Sequence, residues 1–287
     1  MSKFISKIIG GIILIIGLLF LGENILVAHR GDICKTDAHI LFLGTSRIQY
    51  SVNDRLLANT LNAGLNADNY IFSYFKLQLL HKYNPQIDTL FLIYDASTIF
   101  HSFNVSDEKF HPFYWDLLDS DDFKNILLYD RDCFSTPLQW LKIKVPLESY
   151  FKDVKFQDLG IGQYSDLFRD KLPEDIERWK KSAKQNCELH VDTMQSIYLH
   201  KIVSFCREKN VKLFLINPPT YKLAYDVNTD RLLDSYVKKK YPDIPYLDFE
   251  FISVPDSCFG DMSHLNYRGA YYFTNFLIDT LKLQRRI

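Results

Sequence analysis

Residues 39–54 read HILFLGTSRIQYSVND. His39 to Leu43 is a short apolar run, and it stops at Gly44-Thr45-Ser46. An apolar run of this length ending in a Gly/Ser turn reads as a buried strand. Ser51-Val-Asn-Asp54 followed by RLLANTL reads as a helix start, with a capping residue and an acidic first turn. Further along the chain the same kind of run recurs at Leu61 to Gly64, at Thr89 to Tyr94, at Val211 to Ile216 and at Tyr246 to Phe249. Tyr70 to Tyr83, Asp192 to Lys209 and Asp230 to Tyr241 carry helical spacing. Short apolar runs alternating with helices imply an α/β fold whose mostly parallel sheet is covered on both faces. Right-handed crossovers make such a sheet open and doubly wound. Chemistry then collects at the carboxyl ends of the strands, and Ser46 directly follows the first one.

Two segments break this rhythm. From about 101 to 190 the chain is rich in aromatics and acids and shows no clean alternation, so it reads as a largely helical insertion, a lid or wall of the cleft. At the other extreme, Lys3 and Lys7 precede the uncharged run Ile8 to Gly22. A basic start before an apolar stretch is the pattern of a signal peptide or signal anchor. The run would span roughly 22 Å as a helix at ~1.5 Å per residue, short of a ~30 Å hydrocarbon core. Ile25 to Ala28 can extend it, and the cleavage signal is poor because Leu26 stands where a small residue is wanted. The expectation is an uncleaved transmembrane anchor over residues 1–28, a linker over 29–37 and a domain over 38–287. The lysines then stay cytoplasmic and the domain is exported, on the periplasmic or extracellular face.

With 34 Lys and Arg against 35 Asp and Glu, the net charge is −1, which argues against a nucleic-acid partner. The five cysteines, Cys34, Cys133, Cys187, Cys206 and Cys258, show no CxxC or zinc spacing, and nothing calls for a metal or cofactor.

Two blocks carry chemistry. In the first, Ser46 sits at the end of a strand, where its own N–H can stabilise an oxyanion. The second is Asp261-Met-Ser-His264 before a helical run. A serine hydroxyl needs an adjacent base, His is that base, and a carboxylate fixes its tautomer and stabilises its charged form.

Both blocks together resemble the SGNH (GDSL-like) hydrolases, flavodoxin-like enzymes that open with a strand and Gly-x-Ser and close with Asp-x-x-His before a last helix. The phrase LFLGTSRIQYSVND is similar to envelope-associated members, including relatives of D-alanyl-transfer and alginate O-acetylation proteins. The resemblance implies Ser46 as nucleophile, His264 as base and Asp261 as its orienter. It also implies Gly64, after Asn62, as an oxyanion donor. The family's Gly-x-Asn-Asp block is absent: TLFLIY ends at Tyr94-Asp95-Ala96-Ser97-Thr98, and an ionised Asp95 cannot donate to an oxyanion. Either Asp95 is protonated, or Ser97 or Thr98 donates, or the hole is built from backbone. Arg47 is expected to meet an anionic substrate group or to pair with Asp95. Asn217 is a candidate substrate contact or a strand-ending turn.

The implied function is a serine esterase or acyltransferase acting on acetyl-like groups of cell-envelope carbohydrate, beside a membrane O-acyltransferase. The alternative is a non-catalytic envelope protein that keeps the fold and binds glycan or such a partner.

Overall fold

The computed structural model describes Ser6, Gly10, Gly11, Leu14, Gly17 and residues 30–100, 117–129, 161–181, 189–224 and 226–286. It divides into two compact units, one of Met1–Lys35 and Asn104–Gly160, the other of Thr36–Phe103 and Ile161–Ile287. Most of the expected anchor over 1–28 lies outside the described residues, as does much of the insertion over 101–190. Among the described residues no helix is long and apolar enough to cross a membrane.

The second unit holds the sheet. Its strands are β1 (Ile40–Leu43), β2 (Thr60–Asn62), β3 (Thr89–Ile93), β4 (Lys212–Asn217) and β5 (Tyr246–Asp248). The spatial order is β2-β1-β3-β4-β5, and every pairing is parallel. This is the flavodoxin-like order, with its switch point between β1 and β3. The central strands β1, β3 and β4 have apolar interiors because both faces are covered: Leu41, Phe42, Leu43, Leu90, Leu92 and Leu215 are all buried. Register aligns Phe42, Phe91 and Phe214 across three strands. Their rings stack at 4.6 Å and 5.0 Å between centroids, forming an aromatic ladder under one helical layer.

The helices of this unit are α1 (Ser46–Ser51), α2 (Tyr70–Tyr83), α3 (Ala96–Ile99), α5 (Leu172–Lys181), α6 (Thr193–Lys209), α7 (Val227–Lys240) and α8 (Tyr267–Leu281). Right-handed crossovers that step rightward from β2 through β5 put α2, α6 and α7 on one face. The single leftward step, β1 to β2, puts α1 on the other, where α8 joins it. Tyr198 of α6 fits against Tyr74 and Phe75 of α2. Asn69 caps α2 by accepting from the Ile71 and Phe72 amides, and the helix ends before Pro85. Among the described residues, α4 (Ser120–Tyr129) belongs to the first unit. Asp119 and Asp122 cap its start reciprocally, each amide donating to the other's carboxylate.

One local reading changes. The helix begins at Ser46, before Ser51, and the RLLANTL stretch holds only a short 3-10 turn at Asp54–Leu56 before β2. The polar side chains explain it. Asn53 accepts from the Arg55 amide, and Asp54 Oδ2 takes the Asn62 amide at 2.8 Å, so the turn is bound to β2 and cannot elongate. Asn59, at φ 51°, then reverses the chain into the strand.

Candidate active site

Gly44 makes the first turn possible. Its φ is +146°, and a Cβ there would lie 2.3 Å from Ile93 Cγ2. Thr45 caps α1 by accepting from the Arg47 amide, so Ser46 is the first helical residue. At that position the Ser46 amide has no partner one turn back and is available to an oxyanion.

The other half of the site is a loop closed on itself. Phe259 and Leu265 form an antiparallel bridge, and the Gly260 amide donates to the His264 carbonyl at 2.9 Å. Asn266 caps α8 and also donates to the carbonyls of Ser257 and Phe259. Within this loop Asp261 Oδ1 accepts from the Ser263 and His264 amides at 2.8 Å and 2.9 Å. An aspartate that caps the amides two and three residues on draws the third side chain back over its own carboxylate. That is the physical content of the Asp-x-x-His spacing.

The two halves meet. Ser46 Oγ lies 2.8 Å from His264 Nε2, and His264 Nδ1 lies 2.8 Å and 3.0 Å from Asp261 Oδ1 and Oδ2. Both contacts are satisfied when Nδ1 carries the ring proton and donates to Asp261, leaving Nε2 to accept from Ser46. Burial pushes the Asp261 carboxyl up. The His264 hydrogen bond and charge, the Ser263 amide and a bond from Arg169 outweigh it and hold the group well below the usual carboxylate range. Tyr50, one turn along α1 from Ser46, meets the His264 ring edge-on at 5.7 Å.

The other expected residues turn away from this centre. Arg47 is buried at 6% exposure. Its Nη1 donates to Asp95 Oδ2 at 2.7 Å and to Asn217 Oδ1 at 3.0 Å, and its Nη2 donates to the Pro218 carbonyl. Asp95 is 1% exposed and caps α3, its Oδ1 accepting from the Ser97 hydroxyl and from the Thr98 amide and hydroxyl. Burial would raise its carboxyl, but Arg47 and these donors hold it below the usual range. Of the readings of Asp95, this leaves an ionised, paired carboxylate; Ser97 and Thr98 donate to it. Asn217 is also buried, and its amide donates to Asp248 and Glu250. Arg47, Asp95 and Asn217 therefore tie together the carboxyl ends of β1, β3 and β4. The Arg47–Asp95 pairing is one of the two expected for Arg47; with Asn217 the two form a framework, because the ends of three buried strands leave polar groups that must be paired internally.

Asn62 and Gly64 are bonded to each other. The Gly64 amide donates to Asn62 Oδ1 at 2.9 Å, so it is engaged within the chain. The Asn62 side-chain Nδ2 in turn donates to the Ile48 and Val52 carbonyls, closing the end of α1.

Among the described residues one acidic trio, Asp230, Asp248 and Glu250, brings carboxylate oxygens within 4.8 Å of one another. Burial, then Asp248, pushes the Asp230 carboxyl up to about 6, as expected where neighbouring carboxylates share a proton. Cys34, Cys206 and Cys258 are buried and form no disulfide with one another, while Cys133 and Cys187 lie outside the described residues.

A protein-family model that carries no functional description matches residues 146–284, which include Asp261 and His264 but not Ser46. None of the curated proteins matches the chain. Among solved structures, the chain is similar to a Streptococcus pneumonia protein provisionally named a platelet activating factor, at 13% identity and TM-score 0.43, covering 94% of this chain and 98% of that one. It is also similar to a Bacteroides fragilis protein provisionally named an acylhydrolase, at 10% identity and TM-score 0.38, covering 89% and 93%. At these values neither adds to what the site's own geometry shows.

Proposed function

We propose that the protein is a serine esterase or acyltransferase. The observation that carries this reading is the continuous contact from Ser46 Oγ through the His264 ring to Asp261 at a sheet switch point. In the proposed reaction Ser46 Oγ attacks an acyl carbonyl while His264 Nε2 takes its proton. The Ser46 amide faces the oxyanion. The ester's alcohol leaves with the proton from His264, and an acyl-serine remains. His264 then deprotonates water or a second hydroxyl, which attacks the acyl-serine and releases Ser46.

Acetyl-like groups on envelope carbohydrate are the proposed substrate class. The similarity of residues 41–54 to envelope-associated hydrolases supports it, as do exposed aromatics beside the site, Phe168 and Tyr267. The uncharged run behind Lys3 and Lys7 supports a membrane anchor and an exported domain, and the resemblance of residues 41–54 to envelope-associated proteins suggests a membrane O-acyltransferase partner. The engagement of the Gly64 amide and the absence of an asparagine after β3 favour a second reading, a glycan- or partner-binding protein with a silent triad. A fluorophosphonate probe decides between them. Labelling of the wild type that Ser46→Ala abolishes supports the enzyme; a wild type that takes no label sinks it.

A further inference from the structure

The extended segment 161–171 has no helix or strand of its own, yet it touches both halves of the site. Gly162, at φ +83°, lies so close to Gly64 that an added Cβ would sit 2.3 Å from the Gly64 carbonyl oxygen. Three residues on, the Ser165 amide donates to the Gln49 carbonyl in α1 at 3.2 Å. Asp166 takes Arg55 Nη1 at 3.0 Å and the Tyr164 hydroxyl at 2.6 Å. The segment then crosses to the histidine loop. The Leu167 carbonyl accepts from the Tyr267 amide at 3.1 Å, and the Lys171 amide donates to the Gly260 carbonyl at 2.8 Å. Between those two bonds Arg169 Nη1 donates to Asp261 Oδ2 at 2.6 Å.

From this we infer that Arg169 is a positioning residue for the Asp261–His264 pair, delivered to it by a strap that fixes the nucleophile helix and the histidine loop together. The inference rests on the esterase reading of the site and adds a member to it. Asp261 Oδ1 is held by two amides and the ring nitrogen. Among the described residues Oδ2 has Arg169 and the longer, 3.0 Å contact to Nδ1. Without Arg169 the Oδ1 bonds remain, but Oδ2 loses its shortest donor, so the tilt of the carboxylate against the imidazole plane is less tightly fixed. The guanidinium also has an electrostatic effect of opposite sign. It partly neutralises Asp261, and so it disfavours the imidazolium that forms when Ser46 gives up its proton. Arg169 thus secures geometry while keeping the ring from holding a proton too tightly. The other groups facing the pair are Tyr50, edge-on to the ring, and Asp175, which accepts from the Met262 amide at 3.4 Å. Asp175 is also paired with Arg178.

The test uses the full chain with Arg169→Gln and Arg169→Lys. The His264 imidazole titration is followed by NMR, and turnover of a small acetyl ester is followed against pH. Arg169→Gln should move the imidazole midpoint upward by roughly half a pH unit, about threefold in the proton equilibrium, the half-exposed guanidinium being screened by solvent. The acid limb of the rate profile should follow, and plateau kcat should fall ~10-fold with KM little changed. Arg169→Lys should restore the midpoint, because it keeps the charge, and recover kcat only in part, because it lacks the planar fork. A midpoint unmoved in folded Arg169→Gln overturns the inference whether or not the protein is active. A wild type that turns over no ester and takes no label, but whose imidazole midpoint shifts as stated, overturns the esterase reading and leaves the positioning role standing.

Discussion

Replacing Asp95 by Asn changes one atom and removes one charge from a site that has no solvent. Taken from the sequence alone, this substitution should retain or raise ester turnover, by restoring an oxyanion donor. In the structure the carboxylate faces Arg47 and caps α3, so the substitution acts on stability as well. Asp95 is 1% exposed, and the Arg47 side chain it pairs with is 8% exposed. An asparagine oriented to keep its oxygen on the Ser97 and Thr98 donors turns its NH2 toward Arg47 Nη1, setting donor against donor. The charge-assisted bond at 2.7 Å is lost, worth about 1.5–3 kcal/mol, and the guanidinium keeps only the neutral oxygens of Asn217 and Pro218. Breaking a buried pair by removing one partner costs about 3–5 kcal/mol in all. Asp95→Ala should cost ~1 kcal/mol more, because it also uncaps α3. Urea unfolding of wild type, Asp95→Asn, Arg47→Met and the double variant measures these terms and the coupling between them. The double variant should be more stable than Asp95→Asn, since it removes the orphaned charge. The same carboxyl gives the pair its pH dependence. Its folded value lies below 3.8, so its stabilisation is complete above that value and is lost as pH falls through the lower, folded one. A loss under ~1 kcal/mol for Asp95→Asn, or additive single variants, would refute the reasoning.

Lys76 and Asp68 form a second buried pair at 2.7 Å, both side chains fully enclosed, with Lys76 Nζ also donating to the Ala63 carbonyl. Lys76→Met should cost about 3–5 kcal/mol by chemical denaturation, and Lys76→Met with Asp68→Leu much less; equal losses would contradict this. Gly44→Ala should prevent stable folding or cost at least ~2 kcal/mol, because strain at positive φ adds to the clash with Ile93; a variant melting with the wild type would count against it. Asp261→Asn should fold but lose about 10³–10⁴-fold in ester turnover by favouring the wrong imidazole tautomer; a variant as active as wild type would leave Asp261 without the orienting role.

The sheet was legible because each strand is a short apolar run, and a strand covered on both faces can be little else. Thr89 to Tyr94 and Val211 to Ile216 differ by a residue or less at each end from β3 and β4. Tyr70 to Tyr83 was legible for the same local reason: an Asn cap, helical spacing and a following proline bracket α2. Around Asp54 local patterning misled. A capping residue followed by RLLANTL has helical propensity, but β2 must return beside β1, and the Asp54–Asn62 bond enforces that tertiary demand.

At the site, the Asp261–His264 contact was legible because it is local, three residues apart in a self-capping loop. Ser46 was legible from its place in the Gly/Ser turn that follows β1. Of the framework residues, the Arg47–Asp95 pairing was readable as one of two alternatives and Asn217 only as a residue type. Arg, Asp and Asn at strand ends are also what a substrate cleft would carry, and deciding between the two requires knowing that β1, β3 and β4 are adjacent and that their ends are sealed. Tyr50 had a signal, its one-turn spacing from Ser46. Arg169 had none. It comes from an unpatterned stretch 92 positions before Asp261 and reaches it along backbone that makes no regular ladder. Such a segment is ordered by the bonds it makes to other elements, so its hydrophobic period carries no information about where it goes. Arg169 carries the one side-chain cation donating to Asp261 among the described hydrogen bonds, and it is the site residue that sequence periodicity could least have supplied.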